Sequence, residues 1–182
     1  MSLTVMRVLA DHAQVSVSGP VGVPLTLAFG AGVNPSQWTS IAGGDPKVRG
    51  QNVVLGQWDT TGLDGLYTLR LNITLKDNVF QLYTIQVTVD NRPPGVRIVS
   101  PQPGQSFTSG DSAINLEVEA TDNVEVAYVE FYHNNLLIDS VKTAPYRSSW
   151  QIDSSGVQSF YMIVYDTAGN SVQSDTVQVN TP

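Results

Sequence analysis

A strict two-residue alternation governs the longest patterned stretch of this chain. Between Leu66 and Lys76, Tyr67, Leu69, Leu71, Ile73 and Leu75 take every second position, with Leu66, Thr68, Arg70, Asn72, Thr74 and Lys76 between them. Successive side chains of an extended strand point to opposite faces, so one row enters a core and the other stays mostly in water. A helix would scatter the same apolar residues around its axis. The alternation returns in Ile85, Val87 and Val89, and again in Leu116, Val118 and Ala120 against Glu117 and Glu119. No stretch carries the 3.6-residue stripe of an amphipathic helix over three turns. The chain is predicted to be all-β. With 15 Gly and 10 Pro in 182 residues, it has the punctuation that short strands and tight turns require.

The strands fall into two sets. Asp90-Asn91-Arg92-Pro93-Pro94-Gly95 separates Val89 from Val96, and two successive prolines remove two amide donors, so this segment does not continue a sheet. The halves on either side repeat one another. Trp58, Gly65 and Tyr67 precede or head one long strand; Trp150, Gly156 and Phe160 do the same for another, and Val87-Thr88-Val89 matches Val177-Gln178-Val179. Several short strands within about 90 residues suit a sandwich of roughly seven strands. The expectation is two tandem immunoglobulin-like (fibronectin III-like) β-sandwich domains, 1–91 and 92–182. Leu63-Asp64-Gly65-Leu66-Tyr67 is similar to the tyrosine corner of such folds. Leu69 stands where a cysteine is usual, so packing alone must hold the sheets together.

Charge and composition exclude several functions. A formal charge of −7 repels nucleic acid and anionic lipid. No apolar run approaches the roughly 20 residues of a membrane helix, and no signal peptide opens the chain. Met1-Ser2-Leu3 reads as an expression start, so the chain is expected to be a piece of a longer protein. The absence of cysteine removes disulfides, thiolate metal sites and cysteine nucleophiles.

Two sets of strings carry family resemblances. Pro93-Pro94-Gly95-Val96-Arg97-Ile98-Val99-Ser100-Pro101, Ala120-Thr121-Asp122-Asn123, Val129-Glu130-Phe131-Tyr132, Ala144-Pro145-Tyr146 and Tyr165-Asp166-Thr167-Ala168-Gly169-Asn170 make the second half resemble bacterial immunoglobulin-like modules of secreted and surface proteins. In the first half, Gly32-Val33-Asn34-Pro35-Ser36-Gln37-Trp38 and Leu55-Gly56-Gln57-Trp58-Asp59-Thr60-Thr61-Gly62-Leu63-Asp64-Gly65-Leu66-Tyr67 resemble the region after the catalytic domains of bifunctional penicillin-binding proteins, the glycosyltransferase–transpeptidases. Phe29 stands where that family often has tyrosine. The resemblance implies an extracytoplasmic location at a bacterial surface or periplasm, a membrane-anchored parent, and an accessory role as spacer or docking module. Its partners would be peptidoglycan, another surface polysaccharide or an envelope protein. It does not bring the parent's active site, since no Ser is followed at three residues by Lys, and Lys142-Thr143-Ala144 lacks the glycine of the Lys-Thr-Gly triplet. The chain is expected not to be an enzyme. An alternative is a carbohydrate-binding or adhesive accessory module of a secreted glycoside hydrolase or surface protein.

Few side chains offer chemistry. His12 and His133 are expected at a surface or in turns, because a catalytic histidine needs a carboxylate and a serine and a zinc site needs three or four ligands. Asp122, Asn123, Asp166 and Asn170 lie in loops that would meet at one end of the second sandwich. Their oxygens suit calcium, but Asp and Asn also favour turns by bonding their own backbone. Trp58 and Trp150 recur at matching positions, as core anchors do. Trp38 has no counterpart in the second half and is the better candidate for ligand contact, with Tyr128, Tyr132, Tyr146 and Tyr161 as further members of a sugar-stacking platform.

Overall fold

The structure is a computed structural model that describes residues 2–9, 12–19, 24–41, 50–75 and 79–182, with the backbone alone for 2–19 and 50–55. Its described residues form strands and no helix. They divide into two compact units, Met1–Asn91 and Arg92–Pro182.

In the first unit, β1 (Ser2–Leu9), β2 (His12–Gly19) and β5 (Gly50–Asp59) make one antiparallel sheet in the order β1-β2-β5. β3 (Leu25–Ala31), β4 (Thr39–Ser40), β6 (Gly65–Thr74) and β7 (Phe80–Val89) make the other, in the order β4-β3-β6-β7. The alternating strand is β6. Leu69, Leu71 and Ile73 are fully buried and pack with Leu27, Trp58 and Val89, so that side chains from both sheets share one core. Burying each such leucine or isoleucine contributes about 1.5–3 kcal/mol. Tyr67 joins through its ring, edge-on to Trp58 at 5.6 Å and to Phe29 at 6.0 Å.

The second unit repeats the plan. β8 (Gly95–Ser100), β9 (Ala113–Thr121) and β12 (Tyr146–Gln151) form a sheet in the order β12-β9-β8. The facing sheet runs β11-β10-β13-β14, from β10 (Val126–His133), β11 (Leu136–Val141), β13 (Gly156–Asp166) and β14 (Ser171–Gln173), with β15 (Val177–Thr181) on the other end of β13. Ile114, Leu116 and Trp150 from one sheet meet Val129, Phe131, Phe160, Met162 and Val164 from the other. Trp58 and Trp150 are thus core anchors, 1% and 8% exposed. The repeat extends to backbone detail: Gly65 and Gly156, each opening a long strand, hold φ of 99° and 100°, a region that glycine enters without a Cβ clash.

His133 departs from the surface position expected of it. It is the last residue of β10 and shares the inward parity of Val129 and Phe131, so the strand carries it into the core. Its ring lies 4.1 Å from that of Trp150 and 5.0 Å from that of Phe160, and Nε2 is 2.9 Å from Gln158 Oε1. The turn expected after it is present: Asn134 and Asn135 have φ of 47° and 67°, the left-handed pair that a two-residue hairpin needs. The side chain of His12 lies outside the described residues.

Candidate functional site

Among the described residues, three places gather polar or aromatic chemistry. The first is on the outer face of β6 in the first unit. Thr68 has outward parity yet is only 4% exposed, because the loop after β3 folds over it. The Thr68 hydroxyl lies 2.6 Å from the Gly32 carbonyl oxygen and 3.1 Å from that of Val33, and the Gly32 amide donates to the Leu66 carbonyl at 2.8 Å. Gly30 makes the fold-back sterically feasible: a Cβ there would sit 2.4 Å from Pro35 Cβ and 2.5 Å from the Gln37 carbonyl oxygen. The loop ends at Trp38, which is half-buried with the Arg70 guanidinium 3.9 Å from its ring centre, a cation–π distance. Between loop and sheet runs a groove of about 580 Å³, lined by Val33, Asn34, Trp38, Thr84 and Gln86 among others. It offers neutral donors and acceptors beside an indole, as a polar ligand would require.

The second place is the acidic corner of the second unit. Asp166 is 4% exposed. Its Oδ1 accepts the amides of Ala168, Gly169 and Asn170 at 2.7–2.9 Å, and its Oδ2 accepts the Asn170 side-chain amide at 2.7 Å. Asp122 Oδ1 accepts the amides of Val124 and Glu125, while its Oδ2 is enclosed without a hydrogen-bond donor. The two loops meet, for the Thr167 amide donates to the Glu125 carbonyl and carboxylate oxygens of Asp122 and Asp166 lie within 4.8 Å of each other. Asn170 also reaches the Arg92 carbonyl at 3.2 Å, and Asn123 is exposed in the Asp122 turn. Most of these oxygens serve turn amides. The two carboxylates supply part of the six to eight oxygens that calcium takes.

The third place emerges only from strand pairing. Tyr128, Glu130 and Tyr132 of β10 and Tyr161, Ile163 and Tyr165 of β13 occupy the outward parity, with Tyr128 opposite Tyr165, Glu130 opposite Ile163 and Tyr132 opposite Tyr161. Both tyrosine pairs stack, at 4.6 Å and 4.8 Å between ring centres. The Tyr132 hydroxyl donates to Glu130 Oε2 at 2.9 Å, which pushes that phenol up to about 12. Tyr165 is raised by burial and then by the Glu130 charge and hydrogen bond. The sequence alone groups Tyr146 with these rings. It instead lies on β12, in the opposite sheet, packed against the core. Tyr165 takes its place, and the tyrosine-x-acid-x-tyrosine spelling of β10 was the available signal for this row.

Nothing among these groups forms an acid–base–nucleophile set. His133, whose side chain is described, touches Gln158 and Asn134 amides rather than a carboxylate and a serine.

Two facing antiparallel sheets in each unit make this an all-β protein of immunoglobulin-like sandwiches. Residues 94–179 match the family described as a bacterial Ig domain, which is just under half of the chain. Among solved structures, the chain is similar to the fibronectin(III)-like modules of CbhA from Clostridium thermocellum, at 29% identity over 48% of this chain and 94% of that one, with a TM-score of 0.45. It is also similar to the FN1–FN3 domains of chicken CNTN1, at 10% identity over 99% of this chain and 66% of that one, with a TM-score of 0.51. The second likeness supports the fold alone. No similar sequence was found among curated proteins. Modules of the bacterial immunoglobulin type are generally non-catalytic and extracellular, and residues 94–179 match such a module.

Proposed function

We propose that this chain is an accessory region of a bacterial cell-surface protein, and that the parent is a membrane-anchored peptidoglycan synthase of the penicillin-binding type. In this reading the two sandwiches space the catalytic body or dock it on wall polymer or an envelope protein. The observation that carries the accessory role is the bacterial Ig match over residues 94–179, joined to sites that hold no catalytic set. The strings around Trp38 and Trp58 support the parent enzyme. Among the described residues no helix is long and apolar enough to cross a membrane. The test is the flanking reading frame together with labelled penicillin. A transpeptidase domain upstream supports the proposal, a glycoside hydrolase there replaces the parent, and covalent labelling of this chain itself overturns the accessory role.

A second reading, a carbohydrate-binding module, is favoured by Trp38 at the rim of its groove. It predicts that soluble glycans quench tryptophan fluorescence and that Trp38→Ala abolishes the response. Silence across a panel that includes peptidoglycan fragments counts against it.

A further inference from the structure

The four tyrosines around Glu130 have an arrangement that core packing does not require. Their inward neighbours Val129, Phe131, Met162 and Val164 already fill the core, whereas the outward row stands on the sheet with its rings partly in solvent. The two stacked pairs are four residues apart along each strand, about 13 Å, with Glu130 and Ile163 between them. Glu130 is the sole formal charge of the six. Its carboxylate accepts the Tyr132 hydroxyl and interacts with that of Tyr165 as well, which holds it in place and still leaves lone pairs for a ligand, since a carboxylate has about four acceptor sites. Leu137, the register partner of Tyr132 and 53% exposed, adds apolar area on the β11 side.

Charge decides which partner fits. Residues 92–182 hold ten Asp and Glu against four Lys and Arg, a formal −6, and six acids against five bases leave −1 on residues 1–91. Of those four bases, Arg97 is paired with Glu119 and Arg147 with Glu117, both away from this sheet. An anionic partner is repelled, and a cation is drawn to the unit before contact. At the surface it meets π-faces and a held carboxylate, and both attract an arginine or lysine head group. Tyrosine is also among the residues enriched in the cores of protein interfaces.

We propose that the outer face of β10 and β13 is a docking surface for a protein segment that presents a basic side chain flanked by apolar ones, with Glu130 taking the cation and the tyrosine pairs bracketing it. The occupant is a basic peptide segment. A neutral glycan and a second copy of this chain are the competing occupants. This surface does not depend on which enzyme the chain is attached to.

The experiment uses the whole chain and follows the tyrosine ring resonances by NMR during titration with acetyl-Leu-Arg-Leu-amide, with the citrulline analogue as a neutral isostere. The arginine peptide should shift Tyr128, Tyr132, Tyr161 and Tyr165, and the citrulline peptide should bind at least about tenfold more weakly. Glu130→Gln should weaken the arginine peptide by about tenfold, and Tyr161→Ser, which leaves the charge unchanged, by about threefold. Asp153→Asn, in the loop after β12, removes one acid elsewhere and should leave binding as it was. Equal binding of the two peptides overturns the proposal, as does a loss in Asp153→Asn equal to that in Glu130→Gln, which would mean diffuse attraction. Shifts produced by cellohexaose without any by the arginine peptide overturn it in favour of a glycan. Shifts produced by dilution alone, without any by the peptide, overturn it in favour of self-association.

Discussion

Glu130 and Tyr132 form the residue-scale contact with the clearest titration signature. A neutral phenol donates to the carboxylate; a phenolate cannot donate and is repelled by it. The hydrogen bond therefore comes first among the causes that raise Tyr132 from 10.0 to about 12. Because the folded value lies above the unfolded one, the stabilisation is whole below pH 10 and is lost as pH rises through about 12. In Glu130→Gln the phenolate absorbance of Tyr132 should develop at lower pH, closer to the ordinary tyrosine value. Superimposable titration curves for variant and parent would remove Glu130 as the cause. Asp166 makes a larger structural contribution. Asp166→Ala deletes a buried carboxylate that accepts three backbone amides and the Asn170 side chain of a partly exposed turn, and should cost about 3 kcal/mol in denaturant unfolding. A loss below about 0.5 kcal/mol, the range of ordinary surface substitutions, would show that solvent replaces those bonds.

Elements show where sequence reading succeeds and where it stops. The alternation in β6 names Leu69, Leu71 and Ile73 as core, and they are fully buried, since parity is a property of the strand itself. Thr68 and His133 lie elsewhere than their local sequence implies, for opposite reasons. Thr68 has the outward parity, but a loop more than thirty residues earlier in the chain covers it, and coverage of that kind is not encoded in the strand. His133 has the inward parity, but its polarity and the following Asn-Asn turn suggested solvent; burial needs Gln158 as a hydrogen-bonding neighbour from another strand. The tyrosine rows were visible singly, while their stacking depends on the β10–β13 register. For the first unit, Thr68→Val keeps the shape and removes the tie to Gly32, and should cost about 1–2 kcal/mol. Gly30→Ala forces a Cβ into Pro35 and should cost about 1–3 kcal/mol, together with a change in Trp38 fluorescence as the loop lifts. If Gly30→Ala left both stability and emission unaltered, the loop would not rest on the sheet as described.

At the scale of the whole molecule, each unit has its own core among the described residues. Pro93-Pro94 marked the place where pairing must stop, because neither proline can donate to a ladder. The charge is divided unevenly, −6 on residues 92–182 and −1 on residues 1–91. A chain of about 90 residues can bury enough apolar surface to fold alone, and one with this excess of like charge is opposed by its own repulsion. Residues 92–182 produced separately should therefore unfold in a single cooperative transition whose midpoint rises as sodium chloride screens that repulsion over about 10 Å at 0.1 M. The first unit carries almost no net charge, so its stability should respond far less to the same salt. A non-cooperative transition in residues 92–182 would mean that the second core is not self-sufficient, and a midpoint indifferent to salt would mean that its acids are already balanced locally.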